Sequence, residues 1–250
     1  MGGHSHWAGI KHKKGITDAK KGKVWTKLVR EITIAARLGG GDAACNPRLR
    51  KAIDDGRAAN MPSENVKRAI QRGTGELPGA AYEDLVFEGY GPAGVAIIAE
   101  ATSDNRNRTN SEIRFMFQEH GGNLGVTGCV AWMFKQKGVL LVPKSGGITE
   151  DQLMSVCLDL GAEDIDSSGS SFEVLCEPKD FDRLRQGMEA AKIPLESSEI
   201  GRIPDTMVQL SEADAPKVLG LMEALEDHED VKNVYANFDI PEQVLEKLGG

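Results

Sequence analysis

No two cysteines in this 250-residue chain stand close enough to form Cys-x-x-Cys. Cys45, Cys129, Cys157 and Cys176 are scattered, which excludes zinc-ribbon spacing. No apolar run approaches the roughly 20 residues that would span a bilayer. Met1 is followed by glycines, histidines and lysines, so the opening residues lack the apolar core of a signal peptide. Position 6 is His6, where myristoylation wants Ser or Thr. The expectation is a cytoplasmic protein with free thiols. Gly-x-Ser-x-Gly and His-Glu-x-x-His are both missing. Their absence argues against an enzyme, and no cofactor is expected.

Hydrophobic residues make up 40% of the chain, enough for a sizeable core, and the length suits two or three domains. The net charge of −8 is an average over two unlike parts. Residues 1–78 hold 16 Lys and Arg against 7 Asp and Glu, whereas residues 79–250 hold 14 against 31. A basic head on an acidic body orients a protein toward a polyanion.

The head reads as three helices. Thr17 can cap the first, which runs to about Leu38 and stops at Gly39-Gly40-Gly41. Val24, Trp25, Leu28, Val29, Ile32, Ala35 and Ala36 share one arc of it, while Lys20, Lys23, Lys27, Arg30 and Arg37 gather opposite. Asn46 caps a second helix with Pro47 at its first position, carrying Arg48, Arg50 and Arg57. A third begins near Pro62 and ends at Gly73, before a linker at 74–79.

Beyond the linker, strands and helices alternate. Tyr82–Glu88 and Val95–Thr102 read as a hairpin, followed by a helix from Ser111 to His120. Val130–Lys135 and Gly138–Pro143 read as strands, and residues 139–203 follow the order β-α-β-β-α-β, a split β-α-β sandwich. The strand Thr206–Leu210, a helix at 213–226 and a strand at 231–238 are left over. With the hairpin and its helix they complete a second sandwich. The expected domains are therefore a helical head at 1–78, a discontinuous α+β domain at 79–130 and 205–240, and a module at 131–204 inserted in it.

Several patterns mimic functional motifs. Gly89-x-Gly91-x-x-Gly94 matches the dinucleotide fingerprint, but a strand follows it instead of the required helix, and Pro92 marks a turn. Asp164-x-Asp166-x-Ser168-Gly169 begins like a calcium loop, yet Leu175 stands where the bidentate Glu belongs. If Met1 is removed, Gly2-Gly3-His4 offers four nitrogens in the pattern of a square-planar copper(II) or nickel(II) site, an incidental affinity. The preferred reading of the leader is a mobile finger of His4, His6, Trp7, Lys11, His12, Lys13 and Lys14, with rings for stacking on bases and lysines for phosphates. Arg106 and Arg108, ahead of the helix at Ser111, form either an anion site or a capped turn paired with the acidic body.

Read together, these blocks resemble the YebC/PmpR family. Gly3-His4-Ser5-His6-Trp7, Ile10-Lys11-His12-Lys13, Asn46-Pro47-Arg48-Leu49-Arg50, Arg72-Gly73-Thr74-Gly75-Glu76 and Asp104-Asn105-Arg106-Asn107-Arg108-Thr109 carry the resemblance, which covers essentially the whole chain. It implies an α+β protein with a helical N-terminal domain and two ferredoxin-like modules, one inserted in the other. It also implies regulators that bind DNA, or relatives that act on ribosomes and help difficult stretches such as proline runs through. His6 stands where the family usually has lysine, so the leader's charge varies with pH.

The expectation is a non-catalytic, monomeric regulator of gene expression whose partner is DNA, or ribosomal RNA and transfer RNA on the ribosome. Lys20, Lys23, Lys27 and Arg30 supply the backbone-reading face, and Arg48 and Arg50 extend it. That mechanism requires Lys20, Lys27 and Arg30 to be displayed outward together. The rival from another class, a ferredoxin-like enzyme or small-molecule sensor, requires convergent polar groups within 131–204.

Overall fold

The computed structural model describes residues 18–241 apart from 168 and 170, together with 244. They form two compact units: 18–130 with 213–234, and 131–212 with the chain from 235 onward.

The first unit opens with three helices, α1 (Asp18–Gly39), α2 (Pro47–Ala58) and α3 (Ser63–Thr74). Asn46 caps α2 by accepting from the Leu49 amide at 3.1 Å. Its side-chain amide donates back to the Ala35 and Gly40 carbonyls at 2.8 and 2.9 Å, so one residue ties the end of α1 to the start of α2. Ile32, Ala35, Ala36, Leu49, Ala52, Met61 and Ala69 are buried between the helices, with Trp25, Leu28 and Val29 packed against them. α3 runs past Gly73 and ends at Gly75, whose φ of 86° is the left-handed helix cap. Gly73 serves instead as a close-approach residue. A Cβ there would lie 2.7 Å from the Ala36 Cβ, so the α1–α3 crossing requires glycine.

β1 (Glu83–Tyr90) and β2 (Ala96–Ser103) pair antiparallel as a hairpin. Its turn places Ala93 and Gly94 at φ of 58° and 76°, so the Gly89-x-Gly91-x-x-Gly94 run is a turn leading into a strand. α4 (Arg106–Glu119) starts five residues before the expected Ser111, because Asn105 accepts from the Arg108 amide at 3.1 Å and caps the helix there. β3 (Asn123–Leu124) follows and pairs with Gly89 and Tyr90. Its two residues are too few for an alternation to be read. After the second unit the chain returns as α7 (Ala215–Asp227) and β9 (Val231–Ala236), giving a sheet of order β3-β1-β2-β9 with α4 and α7 packed together.

The second unit contains β4 (Phe134–Pro143), α5 (Glu150–Cys157), β5 (Ala162–Asp166), β6 (Ser171–Cys176), α6 (Phe181–Ala190) and β7 (Ser197–Pro204). Strand order β5-β6-β4-β7 with antiparallel neighbours is the split β-α-β arrangement. β4 is one strand where two were expected. Gly138 does not break it, since that position lacks room for a Cβ, which would meet the Phe181 ring at 2.8 Å. The stretch 206–210 does not join the first sheet: β8 (Val208–Gln209) pairs in parallel with β10 (Phe238–Asp239), both within the second unit. The fold is thus α+β, a helical head plus two ferredoxin-like modules, one inserted in the other along the chain. Among the described residues no helix is long and apolar enough to cross a membrane.

Candidate nucleic-acid interface

α1 carries Lys23, Lys27 and Arg30 on one side, as its period dictates. That side lies against the C-terminus of α7 within the first unit. The last carbonyls of a helix lack intrahelical partners and carry the negative end of its dipole. Here α1 satisfies two of them, Lys23 Nζ donating to the Asp227 carbonyl at 3.3 Å and Lys27 Nζ to that of Glu226 at 2.6 Å, while Arg30 Nη1 donates to the carbonyl of Glu229, two residues past the helix, at 2.5 Å. Carboxylates reinforce the contact, with Lys23 3.7 Å from Asp227 and Arg30 3.5 Å from Glu229. The expectation of a free positive stripe is therefore corrected for Lys23, Lys27 and Arg30. The stripe caps a helix of its own protein.

At the root of this contact stands Asp230. Its side chain is 0% exposed and Arg30 is only 11% exposed, their nearest atoms 2.7 Å apart. The other carboxylate oxygen of Asp230 accepts from Thr109 Oγ1 at 2.6 Å and Arg108 Nη2 at 2.9 Å. Burial pushes the Asp230 carboxyl up, but the hydrogen bonds from Thr109, Arg108 and Ser103 and the charge of Arg30 outweigh it and hold it below its ordinary value. Arg108 also pairs with Asp104 at 3.1 Å. Of the two readings of Arg106 and Arg108, the capped and paired turn describes Arg108. Arg106, on the first turn of α4, is 70% exposed and 3.8 Å from Glu83.

Arg48 fills a second junction. Its guanidinium forks onto two carboxylates, with Nε and Nη2 2.8 and 3.1 Å from Glu31, and Nη1 and Nη2 2.7 and 3.0 Å from Asp84. Lys232 adds a contact to Glu31 at 3.2 Å. Burial raises the Glu31 and Asp84 carboxyls, and the Arg48 hydrogen bonds and charge reverse the sign, leaving both lowered. Arg48 therefore joins α2 to α1 and β1, a correction to its expected place on a phosphate-facing surface. Arg50 is exposed and its nearest partner is the Ala44 carbonyl at 3.5 Å. Lys20 lies in the first turn of α1 with its side chain outside the described residues, as are His4, His6, Trp7, Lys11, Lys13 and Lys14 and the Thr17 cap.

Cations on the outer faces of the head remain. Arg37, Arg50, Lys67 and Arg72 are exposed, and no carboxylate is within ion-pair distance of them among the described residues. Lys51, Arg57 and Arg68 are exposed and pair with Asp55, Asp54 and Glu64 of their own helices. Lys67, Arg68 and Arg72 sit on the solvent side of α3. Sequence reasoning left them out because it assigned the basic face to α1; the helical spacing of α3 already held the signal.

Glu112, His228 and Asp230 bring possible metal ligands within 4.8 Å of one another. Most of its polar atoms are taken within the protein, and Asp230 Oδ1, which has no hydrogen bond, faces Arg30 as an ion pair. His228 Nδ1 accepts from the Asp230 amide at 3.1 Å, so its proton sits on Nε2, 3.0 Å from Glu112. The carboxylate of Asp230 is taken by Arg30, Arg108 and Thr109.

Comparison with known proteins places the chain. The family model for the TACO1/YebC protein N-terminal domain matches residues 5–76, and that for the TACO1/YebC second and third domain matches 82–238. The chain belongs to the TACO1/YebC family. A relative from Elusimicrobium minutum, named "Probable transcriptional regulatory protein", is 48% identical over 249 residues, covering 99% of both chains. One from Dictyoglomus turgidum with the same name is 51% identical over 248 residues, covering 99% of this chain and 100% of its own. The crystal structure of a conserved hypothetical protein from Aquifex aeolicus superposes with a TM-score of 0.86 at 45% identity, covering 96% of this chain and 99% of that one. Two blocks that carry the YebC/PmpR resemblance, Asn46–Arg50 and Asp104–Thr109, thus supply the cap and arginines that hold the first unit together.

Proposed function

We propose that this protein is a non-catalytic regulator of gene expression that binds DNA through its helical head. The reading is carried by the charge left exposed once the α1 stripe is engaged. Arg37, Arg50, Lys67 and Arg72 have no acidic partner among the described residues. The pairs Lys51–Asp55, Arg57–Asp54 and Arg68–Glu64 are solvent-exposed, worth about 0.3–0.5 kcal/mol each, and exchange readily for phosphate. The transcriptional-regulator name of the relatives points the same way.

Exposed cations of this kind engage the phosphate backbone through counterion release, with a slope near −0.9 per phosphate neutralised on duplex DNA. With about four to six phosphates engaged, affinity falls roughly 10²- to 10³-fold between 50 and 200 mM salt. Fluorescence anisotropy with a labelled duplex across that range tests the mechanism, and a flat profile removes it. Sedimentation with ribosomes is the companion measurement. Pelleting with ribosomes, together with no duplex binding, replaces the transcriptional reading with a translational one.

A further inference from the structure

Three cations of α1 grip three carbonyls and two exposed carboxylates at the end of α7, an arrangement that resembles a phosphate backbone seated on a helix. We propose that the corner 226–230 is a built-in competitor, which occupies the Lys23–Lys27–Arg30 face and weakens polyanion binding there until a polyanion displaces its rim. The inference rests on the head being the binding part, as argued above.

The contact has two layers. Its root is the Arg30–Asp230 pair, with Asp230 0% and Arg30 11% exposed and Thr109 and Arg108 fastening the carboxylate from α4. Ions and solvent do not reach this layer easily, and it positions the corner. Its rim is different. Lys23 and Asp227 are 52% and 56% exposed and stand 3.7 Å apart, a distance at which no strong hydrogen bond forms. Glu229 is 60% exposed and 3.5 Å from Arg30 Nη2. Lys27 Nζ donates to the Glu226 carbonyl at 2.6 Å. The Lys23–Asp227 pair, exposed on both sides, is weak and screened by salt, and the Glu229 carboxylate is exposed although Arg30 is not. A phosphate oxygen, a strong acceptor for Lys and Arg, can therefore take the place of Asp227 and compete with Glu229 at the outer edge of Arg30.

Spacing supports the comparison. Lys23, Lys27 and Arg30 follow one another at i, i+4 and i+7, a row along a single helix face. The corner answers it with Glu226, Asp227, Glu229 and Asp230, four acidic residues within five positions. Opposite signs meet at both ends of the row, Lys23 against Asp227 and Arg30 against Glu229 and Asp230. A cap made only for the helix terminus needs the carbonyl contacts; the exposed carboxylates at 227 and 229 are surplus to it.

The test compares Asp227→Asn/Glu229→Gln with a control of identical net charge, Asp151→Asn/Asp159→Asn, whose exposed acids lie in the other unit. Both are titrated against a labelled duplex and a labelled heparin fragment at 0.1 M salt. Removing two carboxylates within a Debye length of the bound anion tightens binding on the order of three- to tenfold beyond the control. Equal heparin affinity in the two variants overturns the inference, whatever the duplex does. Tighter heparin binding with no duplex binding in any form sustains the competitor and rejects the DNA reading, so the two failures are separable. Should the double variant melt early, Glu229→Gln alone is the substitute, with about twofold tightening expected and none refuting. Amine labelling of the wild-type protein gives an independent readout: Lys27 is expected to label more slowly than Lys67, and equal rates count against an occupied face.

Discussion

Replacing Asp230 by Asn removes one negative charge from a site holding two guanidiniums and a hydroxyl. The side chain is 0% exposed, and its contacts to Arg30, Arg108 and Thr109 span 2.6–2.9 Å. Taking one partner from a buried ion pair costs about 3–5 kcal/mol, because the remaining charge loses water and partner together. Two features pull the expected value to the lower end. The Asn carbonyl can still accept from Thr109, and Arg108 is 37% exposed, so water reaches it. A loss of about 3 kcal/mol is expected, mostly from Arg30. For a chain of this size about 2–4 °C accompanies each kcal/mol, so the transition of the first unit falls roughly 6–12 °C. Because the chain has two units, that transition must be watched alone. Trp25, whose Nε1 donates to the Ala59 carbonyl at 2.9 Å, reports it in a background carrying Trp7→Phe and Trp132→Phe. A change below about 1 kcal/mol in urea melts would refute the assignment of Asp230 as the anchor of the head.

Other expectations follow from the same geometry. Glu31, Asp84 and Asp230 are all held below their ordinary values, so they stabilise the fold above the unfolded carboxylate range near pH 4 and lose that contribution as pH falls through their folded values. Melts of the wild type should be level from about pH 5 to 7 and drop below about pH 4, and the drop should shrink in Asp230→Asn. Gly73→Ala forces a methyl against Ala36 and should destabilise by about 1–3 kcal/mol, whereas Gly22→Ala, with nothing within 4 Å, should stabilise α1 by up to about 1 kcal/mol. Calorimetry giving both substitutions the same sign would contradict the crossing geometry. Burial pushes the Cys157 and Cys176 thiols up to about 11, so a disulfide reagent at pH 8 should modify exposed Cys45 first and these two only on unfolding. Lys67→Ala/Arg72→Ala should reduce the slope of log affinity against log salt on duplex DNA by about two without changing the melting profile.

Local chemistry was legible where a residue acts on its neighbours. Asn46 with Pro47 announces a helix start, Gly39 to Gly41 a stop, and Pro92 a turn, and the structure has each of them. The start of α4 was misplaced because Asn105 is one polar residue in a run of seven, Asp104 to Asn110, and only the capping hydrogen bond to the Arg108 amide singles it out. Gly73 and Gly138 look like punctuation and are spacers, since what they avoid is another element: Ala36 on α1 and Phe181 on α6. The two-residue β3 has no period to detect, and without it the sequence offers only 206–210 as the remaining strand of the first unit's sandwich.

The α1 stripe exposes a more general limit. Periodicity establishes that Lys23, Lys27 and Arg30 share a side, and composition establishes that the rest of the chain is acidic. Neither says that the partners of that side are Glu226, Asp227, Glu229 and Asp230, some 200 positions away and brought there by α7 and β9. A cationic helix face in a protein with an acidic majority meets its own carboxylates first, because they are covalently tethered and any polyanion must arrive from solution. Among the described residues, the charges open to an outside partner are then those the fold leaves unanswered, on α3 and at the ends of α1 and α2. The number of cations this head can offer a polyanion is set less by how many lysines and arginines it holds than by how many its own carboxylates and carbonyls have already engaged.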